Sequence, residues 1–234
     1  MARASAAAAL LLLLAFAAAW WTRELPLFAL TPPGGGAADM LPGQRQDLHT
    51  TFFTIWAALI LVVPALCLLP FRDRSDTAAR YWLAFWTASL VVFLVHFYWA
   101  VVVIFGNDWS RILHTPRVSA PRLDTVFAAW WVMDVLIAWL WRSEALWVRV
   151  QRWGVHALAL VLFFMGAARE GELAASRTLG WLLAAGVVIS AVLAAFALAL
   201  LKVMPMRAPP AGPPSCGATS RALPPTSRWV SCSA

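Results

Sequence analysis

Apolar residues in this chain come in long unbroken runs and not at alternating positions. Six stretches, residues 6–21, 51–69, 81–105, 125–141, 153–168 and 179–201, carry almost no charge. A bilayer core of about 30 Å is crossed by about 20 helical residues, within a usable range of roughly 17–25. The third and sixth stretches are long enough, whereas the first and fifth, at 16 residues each, are short. The fifth gains length if the arginines of residues 146–152 reach back to the interface. Lipid offers no partner to an open strand edge, and strand-length alternation is absent. The pattern therefore predicts an all-α, polytopic transmembrane helical bundle of five or six spans.

Local chemistry punctuates these runs. Ser75-Asp76 and Asp124-Thr125 place side-chain oxygens where the third and fourth helices need acceptors for their free N–H groups. Gly106-Asn107 suits a left-handed end to the third helix, and Pro64 predicts a kink in the second. Residues 1–21, with Arg3 before the apolar core and Ala17-Ala18-Ala19 after it, read as a signal anchor or a signal peptide. Residues 22–50 then form an extracytoplasmic loop, residues 51–201 a five-helix transmembrane domain, and residues 202–234 a Pro-rich tail predicted to be disordered. Residues 107–124 make an outer loop. In residues 142–152, Leu146, Trp147 and Val150 share one face, which predicts a helix lying in the interface.

Composition strengthens this picture. The chain is 62% apolar and 12% charged, against about 25% charged for an ordinary soluble domain. Its net charge is +7, and 17 of its 18 bases are arginine. They sit between the apolar runs, where they set orientation, so no nucleic-acid partner is implied. With both termini cytoplasmic, eleven bases fall inside and seven outside, which favours a bacterial-type inner membrane protein with a cytoplasmic C-terminus. Tryptophans fall near the run boundaries, with Trp20, Trp21, Trp109 and Trp181 at the outer one. Trp82, Trp139, Trp141, Trp147 and Trp153 mark the inner one, as expected of an aromatic belt. Three cysteines without a CxxC spacing exclude a disulfide framework and c-type haem attachment.

Candidate chemistry lies in the few polar residues within the runs. An Asp at a helix centre costs at least about 2.5–3.5 kcal/mol on insertion scales, so such residues are retained for a reason. His96 lies nine residues before Phe105 and Asp134 ten residues after Asp124, depths of about 14 and 15 Å at 1.5 Å per residue. Both fall near the midplane on consecutive antiparallel helices, so the sequence predicts an intramembrane His96–Asp134 pair. Trp82, Trp86, Ser89, His96 and Trp99 recur at helical spacing, as do Trp130, Trp131 and Asp134 on the partner. Ser89, Trp99, Trp130 and Trp131 are the expected pocket walls. His156 falls about 5 Å from the inner boundary where His96 falls about 22 Å from it, so the two are mismatched for one bis-histidine haem. Asp47, His49, Asp108 and His114 lack a compact metal-ligand spacing. No cofactor and no metal are assigned.

Gly186, Ser190 and Ala194 form a small-residue face that packs within the bundle or against a membrane-protein partner. No phosphate loop, nucleophile elbow or HExxH appears, which disfavours an enzyme. The expected function is therefore proton-coupled transport or small-ligand sensing at the midplane pair, with the bilayer as the main partner. An assembly subunit, with the pair as interhelical glue, and a haem-binding redox subunit are the alternatives.

Overall fold

The computed structural model describes residues 1–22, 42–114, 120–141, 145–171 and 173–203. The extracytoplasmic loop and the C-terminal tail expected from the sequence lie largely or wholly outside these residues. Among the described residues every regular element is helical: α1 (Ala2–Thr22), α2 (Pro42–Leu68), α3 (Asp76–Tyr98), α4 (Trp109–His114), α5 (Pro121–Leu140), α6 (Leu146–Phe164) and α7 (Ala174–Val203). A 3-10 stretch, Leu69–Arg74, prolongs α2, and π-helical stretches, Trp99–Ile104 and Met165–Arg169, prolong α3 and α6. All but the short α4 are long and apolar enough to cross a membrane, six helices in all among the described residues. The fold is an all-α bundle, and the chain is a multi-pass membrane protein.

Several boundaries follow the local chemistry. Ser75 caps α3, its Oγ accepting from the Ala78 N–H at 3.3 Å. Gly106 and Asn107 both take positive φ, 63° and 60°, and end the π-helical turn that prolongs α3. The start of α5 differs from expectation: it begins at Pro121, not at Asp124-Thr125. Proline lacks only a donor that the first turn leaves unpaired anyway, so it opens a helix well. Helix α2 also begins earlier than the hydrophobic run, at Pro42, and continues through Pro64.

Helix α2 is the hub, packed by α1, α3, α6 and α7. Its Ala57, Ala58, Val62 and Ala65 are buried, and small side chains let neighbouring backbones approach closely where no water drives helices together. Polar contacts fix the register. Ser89 on α3 donates to the Ala58 carbonyl at 2.7 Å. Trp56 Nε1 donates to Ser176 Oγ on α7 at 2.7 Å, and Ser190 Oγ donates to the Cys67 carbonyl. The small-residue face of α7 is thereby turned inward: a Cβ on Gly186 would lie 3.4 Å from Cys67 Sγ, and Ser190 and Ala194 are buried. Of the two roles the sequence offered this face, packing within the bundle is seen for Gly186 and Ser190, which meet α2.

Candidate functional site

Among the described residues Asp134 is the one buried carboxylate, wholly enclosed on α5. Three donors converge on it. Trp86 Nε1 on α3 reaches Oδ2 at 2.9 Å. From α6, Gln151 Nε2 reaches Oδ1 at 2.6 Å and Arg152 Nε reaches the same oxygen at 3.3 Å. Trp130 Nε1 donates in turn to Gln151 Oε1 at 3.1 Å, which orients the amide. Carboxylate and guanidinium, 0% and 3% exposed, form an ion pair inside the bundle. Buried charge is tolerable when it is paired and hydrogen-bonded, and Asp134 has an ion-pair partner and a donor at each oxygen.

One turn further along α6, His156 is also buried. Its Nδ1 lies 2.7 Å from the Arg152 carbonyl, and its Nε2 accepts from Trp82 Nε1 at 3.0 Å. A carbonyl can only accept, so Nδ1 carries the proton and Nε2 offers the lone pair; the two bonds specify one neutral tautomer. The ring stacks on Trp86 with centroids 3.8 Å apart, and Trp86 meets Trp131 at 4.4 Å. Both imidazole nitrogens are engaged, which leaves no free lone pair there for an axial metal bond.

Asp134 stands six residues before the end of α5 and Arg152 six residues after the start of α6, each about 9 Å from the helix end at 1.5 Å per residue. Both ends are on the side of the bundle where Arg72 lies. The amphipathic segment expected to rest in the interface is instead the first turns of a continuous α6. Arg152 and His156, expected near the interface, are buried within the bundle. Trp82, expected in the aromatic belt, is 2% exposed. The other belt tryptophans do face outward: Trp20, Trp21, Trp109, Trp139, Trp141, Trp147, Trp153 and Trp181 are exposed.

His96 has different surroundings. Its Nδ1 faces the Thr51 carbonyl at 3.0 Å and Thr54 Oγ1 at 3.4 Å, both on α2. It thus ties α3 to the opposite half of α2, and the expected His96–Asp134 bond is not formed. Trp86, ten residues earlier on α3, takes the place at Asp134 that the sequence assigned to His96. Of the expected walls, Trp130 and Trp131 belong to the Asp134 network. Ser89 is spent on α2, and Trp99 lies in the π-helical stretch at the far end of α3. Trp131 Nε1 and Trp99 Nε1 are buried without a hydrogen-bond partner; Trp131 is ringed by Trp86, Phe93, Phe127 and Phe163, whose faces are weak acceptors.

A half-open cleft of about 130 Å³ enters at the Arg72 end, lined by Arg72, Ala79, Trp82, Leu83, Ala138, Trp141 and Arg152. The Arg72 and Arg152 guanidinium carbons lie 4.8 and 5.1 Å from the centre of the Trp82 ring, within cation–π range. Arg152 Nη1 is buried and has no hydrogen-bond partner. Among the described residues no cluster of three or more His, Cys, Asp or Glu side chains is arranged to hold a metal.

The sequence reading missed Gln151 and Arg152. A usable signal was there: the fifth apolar run is short for a span, and a helix that begins earlier, as α6 does at Leu146, takes in these two residues. No protein-family model, curated protein or solved structure matches the chain.

Proposed function

We propose that this protein binds a small ligand within the membrane, as a sensor or carrier, and that its working site is the Asp134–Arg152 network entered through the cleft at the Arg72 end. The observation that carries this reading is the half-open cleft itself, whose wall includes Arg152, the ion-pair partner of the buried Asp134. We further assign the Arg72 end to the cytoplasm of a bacterial-type inner membrane, on the distribution of bases in the sequence.

A second reading, in which the network only holds α3, α5 and α6 together, is favoured by the donors that α3 and α6 supply to Asp134. The two differ at the cleft. Native mass spectrometry of the full chain in mild detergent, beside Ala138→Leu, separates them. Ligand binding predicts a small-molecule adduct on the native chain that the cleft-filling variant loses while keeping its melting temperature. An adduct-free native chain whose melting temperature is unmoved by the small-molecule fraction of a cell extract would overturn the proposal and leave the structural role.

A further inference from the structure

We infer that residues 1–21 stay in the finished protein as a packed first span, and that Ala17-Ala18-Ala19 is not used as a cleavage site. This stands apart from the ligand-binding reading and does not depend on it. Helix α1 runs without a break over 21 residues, Ala2–Thr22, about 31 Å at 1.5 Å per residue, which matches a bilayer core. Its two faces are unlike. Ala4 and Ala8 are 2% and 3% exposed, and Ala8 belongs to the same buried cluster as Ala57 of α2 and Trp86 of α3. Leu11, Leu12 and Ala15 continue that face and lean on the cluster.

Leu10, Leu13 and Leu14, on the opposite face, are exposed. Membrane insertion responds to summed hydropathy, which is indifferent to face, whereas packing against α2 and α3 is not. Small residues turned inward and leucines outward therefore mark a helix fitted to its neighbours. The conformation at the alanines agrees. An A-x-A-like signal is read at positions two apart, whose side chains share a side only on an extended chain. In a helix they stand about 200° apart. Ala17, Ala18 and Ala19 are helical, and the helix continues past them to Thr22. Unwinding it there would break backbone hydrogen bonds for which lipid offers no substitute.

The test uses the full chain with a C-terminal tag, produced in a bacterial inner membrane and purified in mild detergent. Its intact mass should include residues 3–21, whatever becomes of Met1. A chain that starts after Ala19 would overturn the inference. Two neighbouring variants then probe the packing. Ala8 is buried and Ala9 is exposed, so Ala8→Leu and Ala9→Leu add the same carbons to opposite surroundings. Ala8→Leu should lower the melting temperature by about 3 °C or more, as overpacking does. Ala9→Leu should leave it within about 1–2 °C of the native chain. If Ala8→Leu gives no folded protein while Ala9→Leu does, the buried face is equally supported, and Ala8→Val beside Ala9→Val supplies the melting comparison. Equal melting temperatures for the two positions in chains of full mass would show a tethered but unpacked α1, and the inference would fall.

Discussion

At the scale of single residues, what decides the chemistry is which neighbour each buried polar group finds. Asp134 takes Trp86, Gln151 and Arg152, whereas His96 takes the Thr51 carbonyl and Thr54. The two therefore share no partner, and a double-mutant cycle makes the consequence measurable. His96→Leu and Asp134→Asn should be additive in unfolding free energy to within about 0.5 kcal/mol, as for separate sites. Trp86→Phe and Asp134→Asn should instead couple by roughly 0.5–2 kcal/mol, because they remove the same bond. Unfolding of the native chain, the three single variants and the two doubles in mixed micelles reads both numbers. Coupling between His96 and Asp134 larger than that between Trp86 and Asp134 would contradict the geometry. Asp134 itself was legible in the sequence, since a lone carboxylate in an apolar run demands a partner. The identity of that partner was not, because depth alone selects candidates and Trp86 looked like one more packing aromatic.

At the scale of elements, helix ends carry more information than helix middles. The Ser75 cap and the Gly106-Asn107 termination were legible because each is local: one hydroxyl and two residues able to take positive φ suffice. The starts of α2, α5 and α6 lay several residues upstream of the hydrophobic runs, because a helix continues past the apolar boundary as long as its backbone bonds can be made. Helix α7 meets the π-helical end of α6 at Gly180, where a Cβ would stand 2.6 Å from the Ala168 nitrogen. Backbone cannot yield as a flexible side chain does. Gly180→Ala should therefore destabilise the protein by roughly 1–3 kcal/mol, in the range of overpacked sites. Gly166→Ala, in the π-helical stretch itself with nothing within 4 Å of the added carbon, should be close to neutral. Thermal unfolding of the two variants side by side gives the comparison. Equal melting temperatures would show that α6 and α7 approach less closely than described.

For the molecule as a whole, membrane-spanning architecture was the most legible property, because mean hydropathy of +0.74 over the entire chain admits few other folds. The order of packing was not, since nothing in a hydrophobic run says which neighbour it faces. The orientation proposed above puts the Arg72 end of the bundle in the cytoplasm. Single cysteines test this in a background where Cys67, Cys216 and Cys232 are replaced. In intact cells an impermeant maleimide should label Ser110→Cys, beyond α3, and spare Thr77→Cys, at the start of α3, until the membrane is opened. Both positions are exposed. The reverse pattern would invert the assigned orientation.

The central place of α2 has a bearing on biosynthesis. Its bonds to α7 join residues 120 and 123 positions apart, Trp56 to Ser176 and Cys67 to Ser190. At synthesis rates of about 5–20 residues per second, α2 waits roughly 6–25 s for those partners to emerge. During that interval its alanine-rich face has only α1, then α3 and last α6 to lean on, and any translational stall before α7 leaves the hub of the bundle open to neighbouring proteins or to quality-control proteases.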